Sequence, residues 1–160
     1  MTLYLLDANV VITAHETYYP VHRIPRYWEW LLEQATAGVI KMPHRIFEEV
    51  RPEPGPLADW LKRPEVKEAF ILREQTVGVR DVLVTGYAPD LDDVEIETIG
   101  KDPFLIAAAR AAPDRVVVTK EVSKPSKTRA NRKVPDVCKD LGIVAINDFR
   151  LYSVLKFTIP

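Results

Sequence analysis

Asp7 follows directly on the apolar run Leu3-Tyr4-Leu5-Leu6, with Asn9 two residues on. Asp102-Pro103 opens an apolar stretch through Leu105, Ile106, Ala108 and Ala109. Thr119-Lys120-Glu121 closes the run Val116–Val118, and Glu48 and Glu49 stand in a helical pattern that follows Val39–Met42. If these apolar runs are strands of one sheet, their acids gather at one sheet end, which is where open α/β sheets bind ligands. Unpaired carboxylates at close range repel and hold their protons. A hard divalent cation compensates most simply: Mg2+ and Mn2+ prefer oxygen and keep several waters, so two or three carboxylates suffice. Such an ion orients and deprotonates a water and neutralises charge on a phosphodiester. Each acid has an ordinary reading as well. Asp7 and Asp102 suit helix caps, and Glu48, Glu49 and Glu121 suit a solvated surface. With Ile46, Phe47 and Val50 facing inward, Glu49 lies nearer that face than Glu48 and is the better ligand candidate.

The elements that must position these acids follow from periodicity. Thr2–Leu6 is too short and too apolar for a helix and reads as a strand buried on both faces, Val116–Thr119 reads as another buried strand, and Val39–Met42 and Ile143–Ile146 are two further short strands. Pro25, Pro43, Pro103 and Pro135 each suit a helix's first turn, and Gly38 and Gly142 suit helix ends. Tyr27, Trp28, Leu31 and Leu32 recur at helical spacing, Leu57–Lys62 reads as a short helix with Trp60 inward, and Asn147-Asp148 caps a last helix with Leu151, Val154 and Leu155 inward. Residues 65–87 lean helical. Strands alternating with helices predict a three-layer α/β/α fold around a parallel sheet of about four strands, in one domain spanning residues 1–160.

The 160 residues carry a net charge of −1, unevenly spread. Lys120–Lys133 holds six basic residues against Glu121, a local balance of +5, so the rest of the chain is −6. A basic loop on an acidic body suggests a polyanionic partner, against the plain alternative of a solvated loop. With 47% hydrophobic and 28% charged residues the chain is neither disordered nor fibrous. Its apolar runs are too short to span a bilayer, no secretory signal is evident, and the one cysteine, Cys138, reads as a core residue. A cytoplasmic protein is expected. The six glycines form no phosphate loop, and His15, His22 and His44 lack zinc spacing. Tyr18, Tyr19, Trp28 and Trp30 are many aromatics for one short region, and Trp30 lies about 200° round the helix from Trp28, which predicts a homodimer interface.

Tyr4–Ile12 resembles the opening of PIN domains, in which a strand ends in Asp, a small residue, and Asn or Ser. Asp102–Ala109 is similar to their second-half motif, Val116–Glu121 to their third strand with its terminal acid, and Phe47-Glu48-Glu49-Val50 to their Glu-bearing helix. Tyr18-Tyr19-Pro20 and Trp28-Glu29-Trp30 resemble a subgroup of long-unassigned function. The resemblance covers Thr2 to about Leu155. It implies a metal-dependent ribonuclease like the VapC toxins, with Mg2+ or Mn2+ held by Asp7, Glu49, Asp102 and Glu121. Asn9 and Thr119 would then orient a carboxylate or a water. Glu121 stands where Asp is usual in the family. Lys124, Lys127, Arg129, Arg132 and Lys133 are the expected contacts to RNA phosphates. The partners implied are RNA and a small antitoxin protein; the alternative is a non-catalytic PIN-like module that binds RNA or protein.

Overall fold

Short runs of Leu, Ile and Val form strands because both of their faces must be covered. In the computed structural model, which describes every residue from Met1 to Pro160, β1 is Leu3–Leu6, β2 Ile40–Pro43, β3 Ile71–Leu72, β4 Arg115–Val118 and β5 Val144–Ile146. Every pairing is parallel, in the order β3-β2-β1-β4-β5. Four of these strands match the expected ones to within one residue at each end. β3 is an addition: two residues inside the expected helical region pair Ile71 with Met42 and Leu72 with Pro43 at the sheet edge.

Ten helices surround the sheet in a three-layer α/β/α arrangement: α1 (Ala8–Thr13), α2 (Pro25–Thr36), α3 (His44–Glu49), α4 (Pro56–Lys62), α5 (Pro64–Phe70), α6 (Val79–Val82), α7 (Asp93–Ile99), α8 (Asp102–Arg110), α9 (Val134–Asp140) and α10 (Asp148–Val154). Proline lies in the first turn of α2, α4, α5, α8 and α9, where its missing N–H costs no hydrogen bond. The sequence pattern does not anticipate α7. A reciprocal capping box starts it, with Asp92 accepting from the Glu95 N–H and Glu95 accepting from the Asp92 N–H. Wide π-helical turns extend α1 through Ala14–Tyr18 and α6 through Leu83–Tyr87.

The chain lays β2 and β3 on one side of β1, then crosses to the other side for β4 and β5. The order therefore reverses between β1 and β4, and crevices form beyond the carboxyl ends of strands at such a reversal. Register carries this down to single residues. Leu6 pairs with Val118, and the Asp7 N–H donates to the Val118 carbonyl at 2.8 Å, so Asp7 and Thr119 emerge side by side.

One cluster of 36 buried hydrophobic residues runs from Leu5 to Tyr152 and includes Cys138. α8 packs on β1, β2 and β4, with Leu105 through Ala109 all buried.

The expected dimer interface loses its premise here. Trp30 is only 5% exposed. Its ring lies 4.7 Å from that of Phe157 and 5.9 Å from that of Tyr152, while Trp28 packs edge-on against Trp60 at 4.8 Å. The last residues of the chain cover the side of α2 that the periodicity leaves without a partner. In α10 the buried residues are Asp148, Leu151 and Tyr152, and Val154 faces outward at 41% exposure. No helix is long and apolar enough to cross a membrane.

Candidate functional site

Asp7 ends β1 and is buried. It does not cap α1 through its side chain. Instead Oδ2 accepts from Thr119 Oγ1 at 2.8 Å and from Asn9 Nδ2 at 3.2 Å. Asn9 in turn accepts the Lys120 N–H at 3.0 Å, and Thr119 Oγ1 accepts the Glu121 N–H at 3.1 Å. The residues expected to orient a carboxylate, Asn9 and Thr119, thus lock Asp7 across the strand reversal.

Asp102 occupies the first turn of α8 without capping it. Gly100 ends α7 with φ +66°, a left-handed bend that suits glycine, and turns the chain directly into α8. Glu49 lies at the end of α3, half-buried, close enough to Asp7 and Asp102 to feel both charges. Glu48 is exposed and pairs with His44 at 3.0 Å, so Glu49 is the acid that turns toward the cluster. Glu121 is tethered: its Oε2 accepts the Val134 N–H at the start of α9 at 2.9 Å.

The electrostatics register this convergence. Burial, and then the charges of Asp7, Glu121 and Glu49, push the Asp102 carboxyl up to about 8. Burial raises Asp7 to about 6, with the Thr119 hydrogen bond opposing it and Glu121 adding to it. Glu49 is raised as well, by burial first and by Asp7 second. Two cations lie near enough to moderate the field, Lys133 toward Asp102 and Lys101 toward Glu49. Lys101 is a member that the sequence pattern does not single out.

No group of three or more His, Cys, Asp or Glu side chains is placed so that it could hold a metal ion. The four acids offer carboxylate oxygens alone, the donor type that hard cations take. Asp7 stands at the cap position of α1 but spends its side-chain hydrogen bonds on Thr119 and Asn9, and Asp102 is the first residue inside α8, where Lys101 holds the cap position.

The basic loop differs from expectation. It is exposed from Val122 to Thr128 but tethered, because Ser123 Oγ and the Lys124 N–H both donate to buried Asp136, and Arg129–Asn131 form a 3-10 turn. Arg129 binds Glu95 through Nε and Nη2, each at 2.9 Å, and Asp90 through Nη1 at 2.8 Å. Arg132 donates to the Gly86 carbonyl and to Asp140. Two of the five cations expected on RNA are therefore held by the chain's own acids, and Lys124, Lys127 and Lys133 form no ion pair. Lys120 is drawn away too, to buried Asp148 at 3.2 Å and over the rings of Tyr18 and Phe149.

Tyr87 is a further residue that sequence reasoning misses. It lines a cavity of about 220 Å³ with Asp102, Glu121, Lys127, Asn131 and Lys133. Its position depends on the wide turn after α6, which leaves no periodic signal. No curated protein and no solved structure is significantly similar to the chain. Residues 4–159 match a family model described as a domain of unknown function, DUF4411, and the chain belongs to that family.

Proposed function

We propose that this protein is a metal-dependent ribonuclease, a phosphodiester hydrolase of the PIN type that works as the toxin of a toxin–antitoxin pair. One observation carries the reading: Asp7, Glu49, Asp102 and Glu121 come from four separate stretches of chain to one sheet end, and burial with their mutual repulsion raises Asp102 to about 8. A protein that needed these acids only for folding would balance them with cations. Here no ion pair joins any of the four to a cation, and Arg129 is paired instead with Asp90 and Glu95.

Asp7, Glu49 and Asp102 would hold Mg2+ or Mn2+. When bound, the ion supplies Lewis-acid charge that activates water toward the phosphorus and leaves a 3′-hydroxyl and a 5′-phosphate. The chain's own contributions are distinct. Thr119 and Asn9 fix the Asp7 carboxylate. Glu121, tied to α9, acts as an outer acid more than a direct ligand, in keeping with its longer arm. Lys133 and Lys127 offset the negative field along the approach of a phosphate. An antitoxin partner rests on the resemblance to VapC-like toxins alone. A non-catalytic binding module would depend on the cations and not on the acids, and the docking of Arg129 and Arg132 onto acids of the same chain counts against it.

The test is incubation of the purified protein with tRNA, rRNA and mRNA in Mg2+, Mn2+ or chelator. Cleavage that needs the ion and disappears in Asp102→Asn supports the reading. Intact RNA in every combination sinks it.

A further inference from the structure

Tyr87 closes the wide turn Leu83–Tyr87 and is only 7% exposed. Its hydroxyl is withdrawn from water and has no hydrogen-bond partner. Native proteins rarely leave a buried hydroxyl unpaired, because its lost water is not replaced. The surroundings are not apolar, however. The Tyr87 side chain shares a cavity wall with Asp102, Glu121, Lys127, Asn131 and Lys133. Neither carboxylate accepts its proton, since Glu121 is turned to the Val134 N–H. Burial and those two negative charges raise the phenol far above its usual range, so it stays a donor.

The turn is built to hold this residue. Arg132 donates to the carbonyl of Gly86, and a Cβ at Gly86 would come within 2.7 Å of Val137 Cγ1, so the backbone lies tight on α9. Two ammonium groups, the Arg132 guanidinium, a side-chain amide and an unpaired phenol therefore line one cavity together with the two acids. That donor set suits a phosphate oxyanion. A diester carries one charge and can enter beside Asp102 and Glu121, whereas a free phosphate dianion would meet more repulsion there.

We propose that this cavity is a backbone phosphate subsite, in which Tyr87 donates to a non-bridging oxygen of an RNA phosphodiester that Lys133 and Lys127 hold by charge. The inference rests on the ribonuclease reading and adds the residues that seat the strand. Its test compares wild type with Tyr87→Phe and Lys133→Met. Anisotropy of a labelled single-stranded RNA decamer is read in EDTA and in Ca2+, inorganic phosphate serves as competitor, and cleavage with Mn2+ runs in parallel.

Tyr87→Phe should bind the decamer about fivefold more weakly, the loss of one hydrogen bond. Without RNA it should melt above wild type, because the unpaired hydroxyl is gone. Lys133→Met should weaken binding and flatten the salt dependence by about 0.7 in log–log slope. Binding by Tyr87→Phe within twofold of wild type overturns the subsite, as does low-millimolar inorganic phosphate displacing the decamer only when Tyr87 is present. Tyr87-dependent binding without cleavage keeps the subsite and fails the nuclease reading. Cleavage and binding that are indifferent to Tyr87 keep the nuclease reading and remove the subsite. A wild type that neither binds nor cuts RNA removes both.

Discussion

At the scale of single residues, the site works through protons held against their ordinary tendency. Asp102 titrates near 8 and Asp7 near 6 in the folded chain, while an unfolded Asp titrates near 3.9. A raised carboxyl means that the folded state binds the proton more tightly than the unfolded state. Its stabilising effect is complete below about pH 4 and is lost as pH rises to about 8. Metal-free protein should therefore melt at falling temperature across that window, and Mg2+ should restore the loss most strongly at its upper end, where the ion no longer competes with protons. Melting curves from pH 4.5 to 8.5, with EDTA and with Mg2+, check both parts; a flat profile in EDTA removes the electrostatic account. Asp102→Asn should abolish ion-dependent cleavage and melt above metal-free wild type, with an advantage that grows from pH 4.5 to pH 8. Glu121→Gln keeps an acceptor for the Val134 N–H, so it should fold normally and lose only about 10–100-fold in rate, the scale of an outer partner. A complete loss would make Glu121 a direct ligand. Asp7, Asp102 and Glu49 are legible in the sequence because each sits where a strand or helix begins or ends. Tyr87 and Lys101 are not, because nothing in their neighbours' periodicity says that they face an acid.

At the scale of elements, short pieces are legible wherever proline or an apolar run marks them. They are not where the signal is reciprocal or geometric. The capping box of α7 is written in Asp92 and Glu95, yet its surroundings hide it, because the acidic run Pro89–Asp102 holds six acids in fourteen residues and looks like a solvated surface. The edge strand β3 is two residues long and draws its pairing from β2, not from its own sequence. The turn Leu83–Tyr87 is the most demanding case, since Gly86 is required by its closeness to Val137 and not by its dihedral angles. Gly86→Ala should cost about 1–3 kcal/mol through overpacking against α9. For a chain of this size that lowers the melting temperature by roughly 2–4 °C per kcal/mol. Thermal melts of the variant and of the pair Gly86→Ala with Val137→Ala check this, since the smaller partner should recover part of the loss. No recovery would place the strain elsewhere. Arg129→Ala should leave the fold intact and release the 3-10 turn from α7, so that trypsin cuts after Lys127 faster than in wild type. Equal cleavage rates would mean that the ion pairs to Asp90 and Glu95 do not hold the loop.

At the scale of the whole molecule, the charge asymmetry is first an internal matter. The +5 stretch and the acidic run before Asp102 face one another, and Arg129 joins them. The fold class is legible because alternation of apolar strands and helices leaves few other solutions, and the order reversal beside β1 follows from it. The surplus of aromatics in α2 misleads because its cover comes from Tyr152 and Phe157, more than a hundred residues away in sequence. The same distance effect governs the loop: composition counts six cations, but pairing leaves Lys124, Lys127 and Lys133 for a polyanion. RNA binding should therefore answer to these three more than to the arginines, since Arg132, although it lines the same cavity, is held by the Gly86 carbonyl and Asp140. Replacing Lys124, Lys127 and Lys133 with Ala should weaken RNA binding evenly across sequences, because phosphate contacts carry no base information. It should also flatten the log–log salt dependence by up to about 2, at about 0.7 for each single-strand phosphate that goes without its lysine. Arg129→Ala with Arg132→Ala should lower thermal stability and leave the slope where it is, once measured below the melting transition. Affinities of both variants for two unrelated RNA sequences, from about 50 to 300 mM salt, separate the cases. A slope that falls equally in both would mean that the arginines release their acids to meet RNA, and that the internal clamp is also part of the binding surface.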